Sequence, residues 1–113
     1  MNRGWIGVDL DGTLAHYDNW IGPEHIGEPI APMVDRVRAW LGQGIEVRIF
    51  TARAWHADAE TVEAIEAWCV KHIGLKLPVT CVKDYGMVQL WDDRAVQVIP
   101  NTGIAVERHA RAS

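Results

Sequence analysis

The chain has 113 residues, 49% of them hydrophobic and 23% charged, which sizes it as one small globular domain and excludes a disordered chain. No apolar run approaches the roughly 20 residues a membrane-spanning helix needs, and the short acidic approach to Asp9 and Asp11 is unlike a secretory leader. The net charge of −4 comes with no basic stripe for gripping a nucleic-acid backbone, and four acids, Asp9, Asp11, Asp92 and Asp93, account for all of it.

Gly4 to Leu10 is a short apolar run of the buried-strand type, closed by Asp11-Gly12-Thr13. Residues 13–30 hold Gly22, Pro23, Gly27 and Pro29 without periodicity and are expected to form a loop or small flap. Pro32 suits the first turn of a helix whose inner face carries Met33, Val34, Val37, Trp40 and Leu41, ended by Gly42 and Gly44. Ile45 to Phe50 is a second strand, stopping at Thr51-Ala52-Arg53. A second helix is expected from about Ala57 to Ile73, with Val62, Ile65, Cys69 and Ile73 inward and Gly74 as its stop. Val79 to Val82 and Val88 to Trp91 read as further strands, the latter ending at Asp92-Asp93-Arg94. A last short strand is expected at Ile104 to Val106, before an unpatterned tail. Most of the six Trp residues should be core or pocket wall, and Cys69 and Cys81, in no metal-binding spacing, small core hydrophobes with free thiols in a reducing cytoplasm.

Strands separated by helical segments imply a parallel sheet with covering helices, a class that binds ligands outside the carboxyl ends of its strands. Asp9 and Asp11, Thr51, Lys83, and Asp92 and Asp93 all fall at such ends. Asp9 and Asp11, two apart on an extended segment, face the same way. Carboxylates this crowded must either hold protons or share a cation, and a site offering only oxygen donors suits Mg²⁺.

That arrangement meets the demands of phosphoryl transfer. Asp9 is placed to attack phosphorus, Asp11 to protonate the leaving oxygen and deprotonate the hydrolytic water, and Thr51 with the amides of Ala52 and Arg53 to hold phosphate oxygens. Lys83 supplies a compact positive charge. His16, Tyr17 and Trp20 lie in the flap, where they can stack on a substrate ring; Trp20 has an equal claim to a packing role.

Val8-Asp9-Leu10-Asp11-Gly12-Thr13-Leu14 resembles the first motif of the haloacid dehalogenase superfamily. Ile49-Phe50-Thr51-Ala52-Arg53 resembles its second, Lys83 its third and Leu90-Trp91-Asp92-Asp93-Arg94 its fourth, so that the likeness spans about Gly4 to Gly103. The resemblance implies a single α/β domain over residues 1–113, a Rossmann-like three-layer sandwich with a mostly parallel central sheet and no large cap. It also implies Asp9 as nucleophile, Asp11 as general acid/base, and Mg²⁺ bound by the Asp9 carboxylate, the Asp11 main-chain carbonyl and Asp92 and Asp93. The expected activity is hydrolysis of a small phosphorylated metabolite or nucleotide, the flap or a partner subunit in a homo-oligomer covering the site.

Each segment alone has a plainer reading: an Asx-type turn at Asp9–Thr13, a solvated turn at Asp92-Asp93, a surface lysine at Lys83. Two alternatives stand beside the phosphatase. One is a non-catalytic binding or scaffold domain on the same fold. The other, a phosphatase for nucleic-acid 3′ ends, lacks the basic groove such a substrate favours.

Overall fold

The computed structural model of the protein describes residues 4–106. Four strands, β1 (Trp5–Val8), β2 (Glu46–Phe50), β3 (Val79–Thr80) and β4 (Met87–Trp91), form one all-parallel sheet in the order β3-β2-β1-β4. Parallel neighbours need long crossovers, and α1 (Ala31–Gly42) and α2 (Ala59–His72) serve as the first two of them. The result is the expected Rossmann-like α/β sandwich.

Register decides which face each residue covers. Ile6 pairs with Val47 and Val8 with Ile49, so these four share one side of the sheet. They are buried in a single core with Met33, Val34 and Val37 of α1 and Ile65, Trp68 and Cys69 of α2, which places both helices on that side. Trp5, Gly7 and Arg48 face the other way, and the Arg48 guanidinium lies 4.4 Å above the Trp5 ring. Residues 81–86 cross this second face as a loop. There the Trp5 indole N–H donates to Asp84 Oδ1 at 2.8 Å, and the same oxygen accepts the Gly86 N–H. Helices, sheet and this thin crossover are the three layers.

The local signals mostly act as expected. α1 carries a first-turn proline and has Ile30 as an N-cap that makes no side-chain bond. α2 starts where Asp58 accepts the Thr61 N–H at 2.8 Å, and the chain leaves it through Gly74, whose φ of 111° an L side chain resists. The buried face of α2 is Thr61, Ile65, Trp68 and Cys69, with Val62 only half-buried. Thr61 and Trp68 can turn inward because their polar atoms have partners, Asp58 Oδ1 and the Gly27 carbonyl. The strand expected at Ile104 to Val106 is instead one antiparallel bridge, Val98 to Ala105. The unpatterned tail after Val106 lies outside the described residues. Among the described residues no helix is long and apolar enough to cross a membrane.

Ile65 is fully buried where both helices meet the sheet. Ile65→Ala should cost about 2–5 kcal/mol of stability through the cavity it leaves. Urea unfolding of the two proteins measures this, and a loss under about 1 kcal/mol would mean that the core collapses around the gap.

Candidate active site at the carboxyl end of the sheet

β1 and β4 end level with each other. Val8 pairs with Trp91, and the Asp9 N–H continues the ladder by donating to the Trp91 carbonyl at 2.9 Å. The next residues on the two strands, Asp9 and Asp92, are therefore held side by side by main-chain bonds. Asp9, Asp92 and Asp93 each offer a carboxylate oxygen, and the three lie within 4.8 Å of one another.

The turn after Asp9 is folded tightly back, with the Leu14 and Ala15 N–H groups donating to the Leu10 carbonyl and both leucines fully buried. That turn delivers Thr13 to the junction of the two acidic segments. Its hydroxyl oxygen accepts the Asp93 N–H at 3.0 Å and lies 3.3 Å from both Asp9 Oδ2 and Asp93 Oδ1. One hydroxyl proton serves one of these carboxylates at a time. Gly12 is required twice over: its φ is 91°, and a Cβ there would stand 2.6 Å from Asp93 Oδ2.

The crowding has an electrostatic consequence. Burial raises the Asp9 pKa from 3.8 to about 7; the carboxyl of Asp93 and the negative charges of Asp92 and Asp93 push the same way, and the Thr13 hydroxyl opposes them.

Asp11 is held differently. Its carboxylate accepts two bonds from Arg53, Nε at 2.8 Å and Nη2 at 2.9 Å. Arg53 comes from the carboxyl end of β2, where buried Thr51 starts the short 3-10 turn Ala52–Ala54 and accepts the Arg53 N–H at 3.1 Å. The guanidinium, its side chain only 6% exposed, also donates to the Pro23 and His25 carbonyls of the flap, and it lies 4.8 Å from the Trp20 ring centroid. The flap itself is anchored by the bridge of Ala15 to Pro29 and by the Trp68 indole bonded to the Gly27 carbonyl.

These groups line one cavity of about 610 Å³. Its walls include Asp9, Asp11, Thr51, Ala52, Arg53, Asp92 and Asp93, so the structure gathers these sequence-derived candidates at one rim. Lys83 is not among them. It is exposed and lines an adjoining cavity of about 550 Å³ that shares only Asp92 with the first. The physical reason is that β3 stops at Thr80, two residues short of the expected end, so Cys81 meets the cavity and Lys83 is carried onto the crossover. Asp84 beside it is the engaged residue, its carboxylate kept below the usual range by the bonds from Trp5 and Gly86. Cys81 is thus cavity wall rather than core, whereas Cys69 is buried as expected. Two contributors had no assigned role in the sequence: Thr13, whose only signal was its place after Asp-x-Asp-Gly, and Phe50, an inconspicuous strand residue that lines the cavity.

No family model and no curated protein matches this chain. Among solved structures it is similar to a conserved protein from Bacteroides thetaiotaomicron, with a TM-score of 0.59 and 24% identity over 88% of this chain and 84% of that one. A likeness of that degree establishes the shared fold.

Two outcomes follow from the geometry. Between pH 4 and 7 the folded protein holds a proton on Asp9 that the unfolded chain releases, because its folded pKa of about 7 lies above the ordinary 3.8. That contribution is fully present below pH 4 and lost as pH rises through 7. In chelator the Tm of wild type minus that of Asp9→Asn should therefore fall as pH rises across that range; a constant difference rejects the assignment. Separately, Gly12→Ala should lower stability by about 1–3 kcal/mol in urea unfolding, from backbone strain and the clash with Asp93; a neutral substitution would show that Asp93 does not need the approach.

Proposed function

We propose that the protein is a magnesium-dependent phosphomonoester hydrolase of the haloacid dehalogenase type, working through an aspartyl-phosphate on Asp9. The observation that carries this reading is the convergence of Asp9, Asp92 and Asp93 within 4.8 Å at the carboxyl end of a parallel sheet, in a cavity that also holds Asp11 and Thr51.

The donor set fits a divalent cation. Burial, joined by the neighbouring carboxylates of Asp93 and Asp92, raises the Asp9 pKa to about 7, so positive charge among the three would favour its ionised form at neutral pH, and hard oxygen donors favour Mg²⁺. Asp9, Asp92 and Asp93 would hold it, and it would supply charge neutralisation for an anionic nucleophile meeting an anionic phosphate.

The remaining chemistry belongs to the chain. An Asp9 oxygen forms a bond to phosphorus as the ester P–O bond breaks, and Asp11 gives its proton to the departing oxygen. Water then attacks the phosphorus of the aspartyl-phosphate, Asp11 takes a proton from it, and inorganic phosphate leaves with Asp9 restored. For Asp11 to do this its bidentate pair with Arg53 must open and the freed carboxylate take up a proton from solvent, and the phosphate oxygens are the competing partner that a planar guanidinium prefers equally well. The Thr51 hydroxyl and the Ala52 amide complete the phosphate cradle. Since Lys83 stands outside this cavity, Arg53 and Arg94 provide the positive charge at the phosphate.

Wild-type protein with magnesium should release inorganic phosphate from a generic phosphate ester, and excess chelator should stop it. Asp9→Asn should lower kcat by about 10³-fold or more while the circular dichroism spectrum is unchanged. Turnover that survives in Asp9→Asn removes the nucleophile assignment, and turnover that ignores chelator removes the metal.

A further inference from the structure

The chemistry above accounts for the acidic floor of the cavity but leaves its apolar wall unused. Tyr17 and Trp20, both from the flap, line the cavity together with Phe50 at the end of β2. Trp20 is 55% exposed and Tyr17 39%, and large aromatic side chains left half in water at the mouth of a cavity contribute little to folding. Trp20 is also not a freely turning loop residue. The Arg53 guanidinium lies 4.8 Å from its ring centroid, and that guanidinium is fixed by its bonds to Asp11 and to the Pro23 and His25 carbonyls. A ring braced on one side by that cation is ordered at the cavity mouth before any ligand arrives, which pre-sets the face a ligand's ring would meet on approach.

The cavity dimensions allow such a ligand. Its volume of about 610 Å³ falls inside the range of small-molecule sites, several times what a bare phosphate fills, so the acidic floor occupies only part of it. A phosphate on that floor leaves room in the cavity for a further group such as one ring.

Resting on the phosphatase reading, we infer that Tyr17 and Trp20 form a stacking wall that selects a phosphomonoester whose leaving group carries a planar aromatic ring, of the nucleoside or aryl kind, over sugar and alkyl phosphates. Recognition through the face of a ring tolerates many ring identities, so the selectivity is for planarity and not for a particular pattern of hydrogen bonds.

Phenylphosphonate and cyclohexylphosphonate separate the two components, because neither is hydrolysed, both are apolar and only one is planar. Isothermal titration calorimetry on the full chain with magnesium should give phenylphosphonate the lower Kd by about tenfold. Trp20→Ala should bring the ratio of the two Kd values close to one, and Tyr17→Leu should reduce it. Trp20→Phe, which keeps a ring, should restore much of it. Equal affinities in wild type, or a ratio that Trp20→Ala and Tyr17→Leu leave unchanged, overturns the stacking wall. Phosphate release from glycerol phosphate and phenyl phosphate by the wild type distinguishes the two readings. Turnover of both without a ring preference in binding sinks the wall alone, while a ring preference in binding without any turnover sinks the hydrolase and leaves an aromatic-phosphate binding site.

Discussion

Everything distinctive in this molecule depends on one main-chain alignment, the pairing of β1 with β4 so that both strands stop at the same height. Without the Asp9 N–H bonded to the Trp91 carbonyl, Asp9 and Asp92 would be unrelated turn residues separated by 83 positions of chain. With it, repulsion among carboxylates is imposed by hydrogen bonds that the sheet would make anyway. Burial at the strand ends then sharpens the repulsion, since charge is less screened there than on an open surface. Gly12 and Thr13 finish the arrangement from the β1 side: the glycine gives Asp93 room, and the threonine oxygen ties that segment to the turn.

Arg53 is the second organising element, and it joins parts that the sheet alone would leave independent. Asp11 extends from the first strand, the flap follows it, and Arg53 arrives from the second strand. One guanidinium bonds to both the acid and the flap carbonyls while bracing Trp20. The fork geometry of arginine makes this possible, because its donors point in several directions within one plane; a lysine could not hold the same set. The flap's position and the orientation of Asp11 are therefore coupled, and any anion that draws Arg53 away disturbs both.

The parts of this structure legible in the sequence are those fixed by short-range rules. The apolar run before Asp9, the proline opening α1 and Gly74 after α2 each act locally, and each element lies within a few residues of where those signals place it. The gathering of Asp9, Asp11, Thr51 and the Asp92-Asp93 pair was legible because strand ends in a parallel sheet share one edge. Lys83 was not, since its position depends on β3 having only two residues, and strand length is set by what the neighbouring strand can pair with. Asp84 was hidden for a related reason: its partner Trp5 lies 79 residues away on the far face of the sheet. The bond from Trp68 to Gly27 is invisible to periodicity too, because an indole with a polar handle can turn toward the flap where a purely apolar residue would not.

The two carboxylates of the Asp-x-Asp turn, although only two residues apart, meet opposite electrostatic environments. Asp11 receives a positive partner from within the fold, and the cost of bringing its charge into the cavity is offset as soon as the chain folds. Asp9 faces Asp92 and Asp93, and the fold gives it burial and like charge. A protein that needed only a stable turn would gain by spreading such charge, so concentrating it on one residue is a cost that folding does not recover. Under the proposed mechanism the difference has a use. The residue that must trade protons is held by a partner a phosphate can displace, and the residue that must attack phosphorus is only partly anionic at neutral pH until a cation joins it. The nucleophile is then coupled to the arrival of the metal, and the acid to the arrival of the substrate.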